Sequence, residues 1–245
     1  MCLALFRFDP LDDWPFLLVS IRDEDLNRPA AEPHTWWPQT APGVVGGRDL
    51  RAGGTWLAID PGQRAVAAVF TPAGPTPRGS AHRSRGELPL AALAGDGLDS
   101  RDLSAYLPFA LLRADAAAPT WWSWNGSRMQ QQPISPGVHV ANIDGLDATS
   151  TSRRQARWLA PFAAHVPEPF RRRETPESTW GQWLRLIDDG LEPERDDSLL
   201  LRRTLPSGSY GTRSVALVAI GKRGLGYDVT DRPGSGSWTS VALSR

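Results

Sequence analysis

The sequence contains very little cysteine or lysine, and neither sign of charge is in excess. Cys2 is the only cysteine among 245 residues, so the chain cannot close an internal disulfide or bind zinc through several thiolates. Lys222 is the only lysine, and arginine supplies nearly all the positive charge. Basic and acidic residues both number 27, and the formal net charge of zero argues against a protein that binds nucleic acid by bulk electrostatics.

Long apolar runs are also missing. No stretch is long enough to cross a bilayer as a helix, so we predict no membrane span. The first ten residues lack a basic segment and reach Asp9 too early for a secretory signal peptide. We therefore expect a cytoplasmic protein. Hydrophobic residues at 40% and charged residues at 22% are typical of a globular protein.

Strand-like segments open and close the chain, and most helix-like segments lie between them. Val-, Phe- and Trp-rich stretches separated by Pro, Gly and Asp predict strands at 2–8, 16–21, 55–59, 65–70, 123–125, 138–143, 210–220, 224–230 and 238–243. Apolar residues at helical spacing predict helices at 84–94, 101–113, 151–164 and 177–189. Residues 71–85 are interpreted as a loop. This order indicates an α+β layered fold, and we interpret residues 1–245 as one domain.

Cys2 is a candidate nucleophile because of its position. Its side chain is small enough for methionine aminopeptidases to remove Met1, and Cys2 would then carry both a thiol and a free α-amino group. A thiol has an ordinary pKa of about 8.5 and an α-amine about 7.7–8.0, so near neutral pH the amine can accept the thiol proton. Nucleophile and base would then share one residue. The alternative is a small residue that follows the initiator methionine by chance.

Five further segments, read together with Cys2, carry a resemblance to a known family. They are residues 21–24 (IRDE) followed by Arg28-Pro29 and a tryptophan, residues 46–57 (GGRDLRAGGTWL), residues 84–88 (SRGEL), residues 136–142 (PGVHVAN) and residues 210–214 (YGTRS). In this order, across most of its length, the chain resembles the NRDE, or transport and Golgi organisation protein 2, family.

The resemblance implies a fold and a set of site residues. The family is similar to N-terminal-nucleophile hydrolases, which have a four-layer αββα sandwich and cleave amides through an N-terminal cysteine. The implied roles are Cys2 as nucleophile, Asp23 as the residue that orients its amino group, Asn142 as oxyanion donor and Arg213 as a neighbour of the nucleophile. Arg22 is a further candidate, although those hydrolases carry their arginine three residues before the aspartate.

Three positions depart from the family pattern, and they keep alternative functions open. Ile21 replaces the family's asparagine, Pro72 stands where relatives carry an amide, and Asp60 occupies a turn where the hydrolases tend to place an oxyanion asparagine. The first hypothesis is a thiol hydrolase or acyltransferase acting on an amide or acyl substrate, with no cofactor required. The second is a binding or trafficking protein for haem or an acyl lipid. The third is a catalytically inactive relative.

Tryptophan is abundant, and its clusters suggest where a ligand could bind. Clustered indoles can line an apolar cleft or fill a core, and the chain has 11 of them. We assign Trp158, Trp180 and Trp183 to the core. The four histidines show no metal-ligand spacing, so no metal site is predicted. A haem-iron ligand is one interpretation of His139, and an ordinary strand histidine is the other. The candidate ligand-binding residues are Trp36, Trp37, Trp56, Trp121 and His139.

Overall fold

The computed structural model describes residues 2–72, 82–94, 98, 101–167, 175–193, 195–206 and 208–243. In these residues the strands are β1 (Leu3–Phe8), β2 (Phe16–Asp25), β3 (Ala30–His34), β4 (Val45–Asp49), β5 (Leu57–Asp60), β6 (Ala65–Phe70), β7 (Phe109–Ala114), β8 (Thr120–Trp124), β9 (Met129–Pro133), β10 (Gly137–Asn142), β11 (Gly145–Leu146), β12 (Arg202–Leu205), β13 (Gly208–Ile220), β14 (Leu225–Thr230) and β15 (Thr239–Ser240). The α-helices are α1 (Leu88–Leu93), α2 (Arg153–Ala163), α3 (Pro176–Trp180) and α4 (Gln182–Asp188).

Two antiparallel sheets carry the fold. The described strands of the first sheet follow the order β11-β10-β1-β2-β13-β14-β15, and β12 also pairs with β13. The second sheet has the order β3-β4-β5-β6-β7-β8-β9, so each strand pairs with its neighbour in sequence. In the first sheet the N-terminal hairpin of β1 and β2 lies between β10 and β13. Strands from the two ends of the chain therefore meet at the centre of that sheet.

Side-chain alternation along the strands divides the interior into three apolar layers. Phe6 and Leu18 face the second sheet and pack with Ile59 and Phe70 in the core between the sheets. Leu5 and Val19, their sequence neighbours, face the opposite way, toward α2, α3 and α4. Helix α1 covers the outer face of the second sheet through Leu88 and Leu93. The order of layers is helix, sheet, sheet, helix, and the expected αββα sandwich is confirmed.

The helix layer over the first sheet contains the tryptophans that we assigned to the core. Trp180 and Trp183 are fully buried, and Trp158 is 7% exposed. A buried indole N–H needs an acceptor, and each of these has one. Trp180 Nε1 donates to the Asp228 carboxylate at 2.8 Å, and Trp183 Nε1 donates to the Phe162 carbonyl at 3.0 Å.

The helix predicted at residues 101–113 is wrong. A single 3-10 turn at Leu103–Ala105 is followed by strand β7 (Phe109–Ala114). Phe109 and Leu111 face α1, whereas Ala110 and Leu112 face the core between the sheets. Because both faces of β7 are buried, its sequence is apolar without alternation, and such a run cannot be told from a helix by periodicity.

Several strands have sequences too polar or glycine-rich for the pattern to predict. They are β3, β4, β9 and β12. Part of the loop predicted at 71–85, residues 73–81, lies outside the described residues. Among the residues that the structure describes, no helix is long and apolar enough to cross a membrane.

Candidate active site

Strand pairing brings the predicted catalytic residues to one end of the first sheet. Strand β1 pairs with β2 so that Leu3 lies opposite Ile21. The same register, carried one residue further, sets Cys2 opposite Arg22. Asn142 is the last residue of β10, which pairs with β1 on its other side. Cys2 therefore lies between the two neighbouring strands that contribute the other candidates.

Strand β13 pairs with the other side of β2 and brings Arg213 to the same end of the sheet through a β-bulge. Thr212 pairs with Asp23, and Ser214 pairs with Arg22, so Arg213 is the extra residue between them. A bulge locally redirects side chains and is common near functional sites. Arg213 therefore lies beside the β2 residues that flank Cys2.

Arg22 and Asp23 are adjacent in sequence, but they point to opposite faces of the sheet. This follows from the two-residue period of a strand. Asp23 faces the helix layer, where it contacts Arg154 of α2. Arg22 faces the second sheet, where it contacts Asp49 of β4. Cys2 packs against the core between the sheets, so its side chain shares the face of Arg22.

On the helix side, Asp23 forms a fully buried ion pair. Arg154 Nη1 donates to one carboxylate oxygen at 2.5 Å, and Thr212 Oγ1 donates to the other at 2.7 Å. The Asp23 side chain is 0% exposed and that of Arg154 is 8% exposed. Arg154 Nη2 also donates to the Leu199 carbonyl at 2.5 Å. These contacts fix the backbone of β2 at the position next to Cys2.

On the sheet side, Arg22 is held by one carboxylate and one indole ring. Its Nη2 donates to Asp49 Oδ2 at 3.3 Å, and its guanidinium carbon lies 3.8 Å from the centre of the Trp56 ring. Arg28 binds the same carboxylate in a two-point contact, with Nε–Oδ2 at 2.5 Å and Nη2–Oδ1 at 3.2 Å. Burial lowers the pKa of Arg22, and the charges of Glu24, Cys2 and Asp49 oppose that shift.

The glycine-rich block at 46–57 serves packing around this cluster. A Cβ added to Gly47 would lie 2.5 Å from Cη2 of Trp56, so only glycine leaves room for the indole in this position. A Cβ on Gly54 would lie 2.4 Å from the carbonyl carbon of Gly86, where the Thr55 N–H donates to the Gly86 carbonyl at 2.8 Å. Two of the sequence blocks therefore meet in space through their glycines.

The Cys2 thiol lies against the backbone of Asp23. Its Sγ is 3.8 Å from the Asp23 carbonyl oxygen, and the Tyr210 hydroxyl donates to the same oxygen at 3.2 Å. Burial is the largest influence on the thiol and raises its pKa above the ordinary value, and the nearby Asp23 charge adds to this. The Arg22 charge acts in the opposite direction. The thiol is therefore protonated at neutral pH and needs a base to become a nucleophile.

Asn142, the predicted oxyanion donor, already uses its amide group. Its Nδ2 donates to Asp144 Oδ2 at 2.9 Å and to Ser152 Oγ at 3.0 Å. Its Oδ1 accepts from the Asp144 N–H at 2.8 Å and from Gln155 Nε2 at 2.7 Å. Because an amide has two N–H bonds, donation to an oxyanion would require one of these contacts to be exchanged.

Arg213 lines a surface groove of about 370 Å³ with two other arginines. Neither Arg213 nor Arg202 forms an ion pair within the described part of the chain, and Arg232 lies 3.7 Å from Asp231. Thr212, which binds Asp23, also lines the groove. A larger cavity, of about 460 Å³, is lined by Arg7, Phe8, Asp9, Pro136, Gly137, Val138 and Val166. That cavity lies at the far end of β1 from Cys2.

The predicted ligand-binding residues do not form one cleft. Trp56 is next to the Cys2 end of the sheet through its contact with Arg22. Trp36 and Trp37 pack on the outer face of the second sheet, and Trp37 Nε1 donates to the Gly53 carbonyl at 2.9 Å. Trp121 is 3% exposed and packs against Phe70 in the core between the sheets, with the two rings tilted by 41°.

His139 also packs in the core, 5.3 Å from the Phe6 ring, and both its ring nitrogens are engaged. Nδ1 contacts Asp147 Oδ2 at 2.7 Å, and Nε2 contacts the Ser135 carbonyl at 2.9 Å. Both partners are acceptors, so the doubly protonated ring satisfies them best. Burial would lower the pKa of His139, but these hydrogen bonds outweigh it and raise the pKa. So arranged, His139 presents no nitrogen to a haem iron, and the described residues contain no cluster of ligands suited to a metal.

The sequence did not single out Arg154, Thr212, Tyr210 or Asp49 for the site. Arg154 lies 131 residues from Asp23, and nothing local to α2 indicates that pairing. Thr212 and Tyr210 belong to the 210–214 block, in which only Arg213 received a role. Asp49 belongs to the glycine-rich block, which is as typical of tight turns as of a site. For Asp49, the sequence feature that could have pointed to the site is the conspicuous glycine-rich block around it.

The chain matches the family described as Transport and Golgi organisation 2 over residues 1–233. Among solved structures it is similar to the Caenorhabditis elegans N-acylethanolamine-hydrolyzing acid amidase ortholog, with a TM-score of 0.50 and 10% sequence identity. The similarity covers 88% of this chain and 92% of that chain, and it shows a shared N-terminal-nucleophile hydrolase fold. No curated protein matches the chain. The match to the family spans nearly the whole sequence, and the chain therefore belongs to the Transport and Golgi organisation 2 family.

Proposed function

We propose that this protein is a thiol hydrolase or acyltransferase that acts on an amide or acyl substrate, with Cys2 as its nucleophile. The observation that carries the proposal is the position of Cys2 opposite Arg22, at the end of the four central strands. Asp23 and the bulged Arg213 lie on the neighbouring positions. The fold shared with an amidase supports the same chemistry without identifying the substrate.

The proposed reaction begins after Met1 has been removed. The α-amine of Cys2 accepts the thiol proton, and the sulfur attacks the substrate carbonyl carbon to form a tetrahedral oxyanion. The oxyanion collapses, the bond to the amine or alcohol breaks, and the leaving group takes the proton from the ammonium. The thioester that remains is attacked by water, or by another acceptor, which releases the acyl group and restores the thiol. The raised pKa of the thiol fits a base-assisted attack better than a preformed thiolate.

Two residues have defined tasks in this proposal. Asp23 would orient the new α-amine, since its backbone carbonyl already contacts the Cys2 side chain. Asn142 would donate to the oxyanion only after its amide left Ser152 and Asp144 and turned from the helix face toward Cys2. One such donor is worth about 2.7–4 kcal/mol of transition-state stabilisation.

The first test is the intact mass of the purified protein, before and after brief treatment with iodoacetamide at neutral pH. Because Cys2 is the only thiol, any adduct identifies its site. We expect loss of Met1 and faster alkylation than that of a free cysteine. Incubation with p-nitrophenyl acetate should then release a burst of nitrophenol and leave one acetyl group on the protein.

Two variants make this test decisive. Cys2→Ala should show neither burst nor adduct, and Cys2→Ser should keep the fold with a strongly reduced burst. Retention of Met1 would overturn the proposed mechanism, since no free amine would then adjoin the thiol. An equal burst in Cys2→Ala would show that the released nitrophenol comes from elsewhere on the protein.

A second candidate function is the binding of an acyl ligand with an anionic group, without turnover. The groove of Arg202, Arg213 and Arg232 favours it, since two of these arginines lack an ion pair in the described residues. Binding of a fatty acid, followed by tryptophan fluorescence, should then saturate equally in wild type and in Cys2→Ala. Arg213→Gln should weaken it. Haem remains a candidate for this groove through its propionates, and His139→Gln should leave such binding unchanged.

A further inference from the structure

Two residues on the second-sheet side of the interface contact the arginine that lies opposite Cys2. Asp49 and Trp56 both belong to the second-sheet side of the interface, in β4 and just before β5. Each contacts the Arg22 guanidinium, Asp49 through a hydrogen bond at 3.3 Å and Trp56 through its ring face at 3.8 Å. Arg22 is 4% exposed, so these contacts replace water around a buried charge.

Arg22 lies next to the Cys2 side chain. In an antiparallel pair, directly opposite residues have Cβ atoms about 4.5–5.5 Å apart on the same face. The β1–β2 register gives Cys2 and Arg22 this relation, and both pack toward the second sheet. The charge of each group shifts the pKa of the other, and in the present structure Arg22 has a smaller influence on the thiol than burial and Asp23 have.

The Asp49 carboxylate is held in place by contacts other than that with Arg22. Its Oδ1 accepts the N–H groups of Arg51 and Ala52 at 3.0 and 2.9 Å, so the turn after β4 sets the direction of the carboxylate. Arg28 occupies both oxygens from the other side. Trp56 is placed by the absence of a side chain at Gly47. A flexible arginine side chain is thus given one conformation by two rigid neighbours.

We propose that Asp49 and Trp56 are positioning residues that hold the Arg22 guanidinium beside the Cys2 thiol. This inference rests on the proposed function, because it concerns the same nucleophile. It assigns a task to the glycine-rich block, which acts on Cys2 through Arg22 and does not touch the reacting sulfur. It also identifies Arg22, which lies directly opposite Cys2 on β2, as the arginine whose charge acts on the thiol.

Asp49 could act on the thiol as a nearby negative charge or as the residue that positions Arg22. These two roles predict opposite changes of the thiol pKa when Asp49 is replaced. If Asp49 acted only as a nearby negative charge, Asp49→Asn would lower the thiol pKa, since an anion disfavours the thiolate. If Asp49 positions Arg22, the same substitution frees the guanidinium and the thiol pKa rises. An opposite charge within about 4–6 Å typically shifts a pKa by about 1–3 units, so the effect is measurable.

The experiment is a titration of Cys2 in the full chain, by the rate of iodoacetamide alkylation from about pH 7 to about pH 11, since burial places the thiol midpoint above the ordinary value of about 8.5. Arg22→Gln should raise the midpoint by about one unit, and Arg22→Lys by less. Asp49→Asn and Trp56→Leu should raise it in the same direction, and Asp49→Glu should partly restore it. Circular dichroism should verify that each variant is folded.

Asp115→Asn is the matched control. It removes a carboxylate from another arginine, Arg113, at 2.9 Å in the second sheet, without touching Arg22. Its midpoint should equal that of wild type. A lowered or unchanged midpoint in both Asp49→Asn and Trp56→Leu would overturn the inference. The titration needs neither turnover nor removal of Met1, so it can succeed or fail independently of the hydrolase proposal.

Discussion

The two faces of the first sheet differ sharply at the Cys2 end. On the helix face, Asp23 and Arg154 form a buried pair whose remaining contacts are hydrogen bonds to protein groups. On the sheet face, the Asp49 carboxylate serves two arginines at once, and Arg28 remains 28% exposed. One residue step along β2 separates these environments.

The difference shows how one strand can carry a buried ion pair on one face and a charge next to the thiol on the other. A buried ion pair is costly to disturb when one partner is removed, and this pair fixes the backbone that the thiol contacts. On the other face, Arg22 and Arg28 share the Asp49 carboxylate, and Glu24 lies 3.8 Å from Arg28. Helix-side changes should therefore have the larger effect on stability, whereas sheet-side changes should alter the position of the Arg22 charge beside the thiol.

The largest expected effect is on the helix face. Arg154→Met leaves the Asp23 carboxylate buried without its cation, and we expect a loss of about 3–5 kcal/mol in the free energy of unfolding. Urea unfolding followed by tryptophan fluorescence measures it. Arg157→Met, on the same helix, is the control. Arg157 is 28% exposed and its partners Glu192 and Asp197 are 36% and 20% exposed, so we expect about 0–1 kcal/mol. Equal losses would contradict the contrast between buried and exposed pairs.

On the sheet face, Gly47→Ala should cost about 1–3 kcal/mol, because the new Cβ would overlap the Trp56 ring at 2.5 Å. The indole must move, which disturbs its contact with Arg22. Thermal unfolding and the Cys2 titration should therefore change together. Gly62→Ala meets only the flexible Asp60 carboxylate at 3.2 Å, and it should change neither. A stability loss without a shift of the thiol midpoint would show that moving Trp56 does not affect the Cys2 thiol.

The Asp49 carboxylate should make part of the stability depend on pH. Burial would raise the pKa of Asp49, but hydrogen bonds and charge from Arg28, with Arg22, lower it below its usual value. A depressed pKa contributes stability above the unfolded value of about 3.9, and that stability is lost as pH falls through the folded value. Asp49→Asn should cost about 1–3 kcal/mol at pH 7 and progressively less below about pH 4. Unfolding curves across this range test it, and a constant difference would contradict it.

The smallest expected effect concerns His139, in the layer between the sheets but away from Cys2. Its pKa is raised, so its contribution is fully present below the unfolded pKa of about 6.5 and is lost as pH rises through the folded value. His139→Gln should cost up to about 1 kcal/mol more at pH 6 than at pH 9, since Asp147 is 39% exposed. Chemical unfolding at the two values measures this. A larger cost at pH 9 would reverse the assignment of the protonated ring.

The sequence predicted the layers better than the contacts. The turn-rich residues between β1 and β2 and the apolar faces of α2 and α4 are local signals, so those elements were predictable. β7 was not, because burial on both faces removes the alternation that distinguishes a strand. The glycine-rich sequence of β4 has no strand pattern, and its strand character comes from pairing with β3 and β5.

For the site, the sequence by itself determined that Cys2 is the only thiol, follows Met1 and precedes blocks typical of one family. Only the tertiary structure decided which charges meet it. Arg22 and Asp23 diverge to opposite faces because a strand alternates, and their partners, Asp49 and Arg154, come from a different sheet and a distant helix. Those partnerships depend on how the layers stack, since no local pattern records contacts between residues 27 and 131 positions apart.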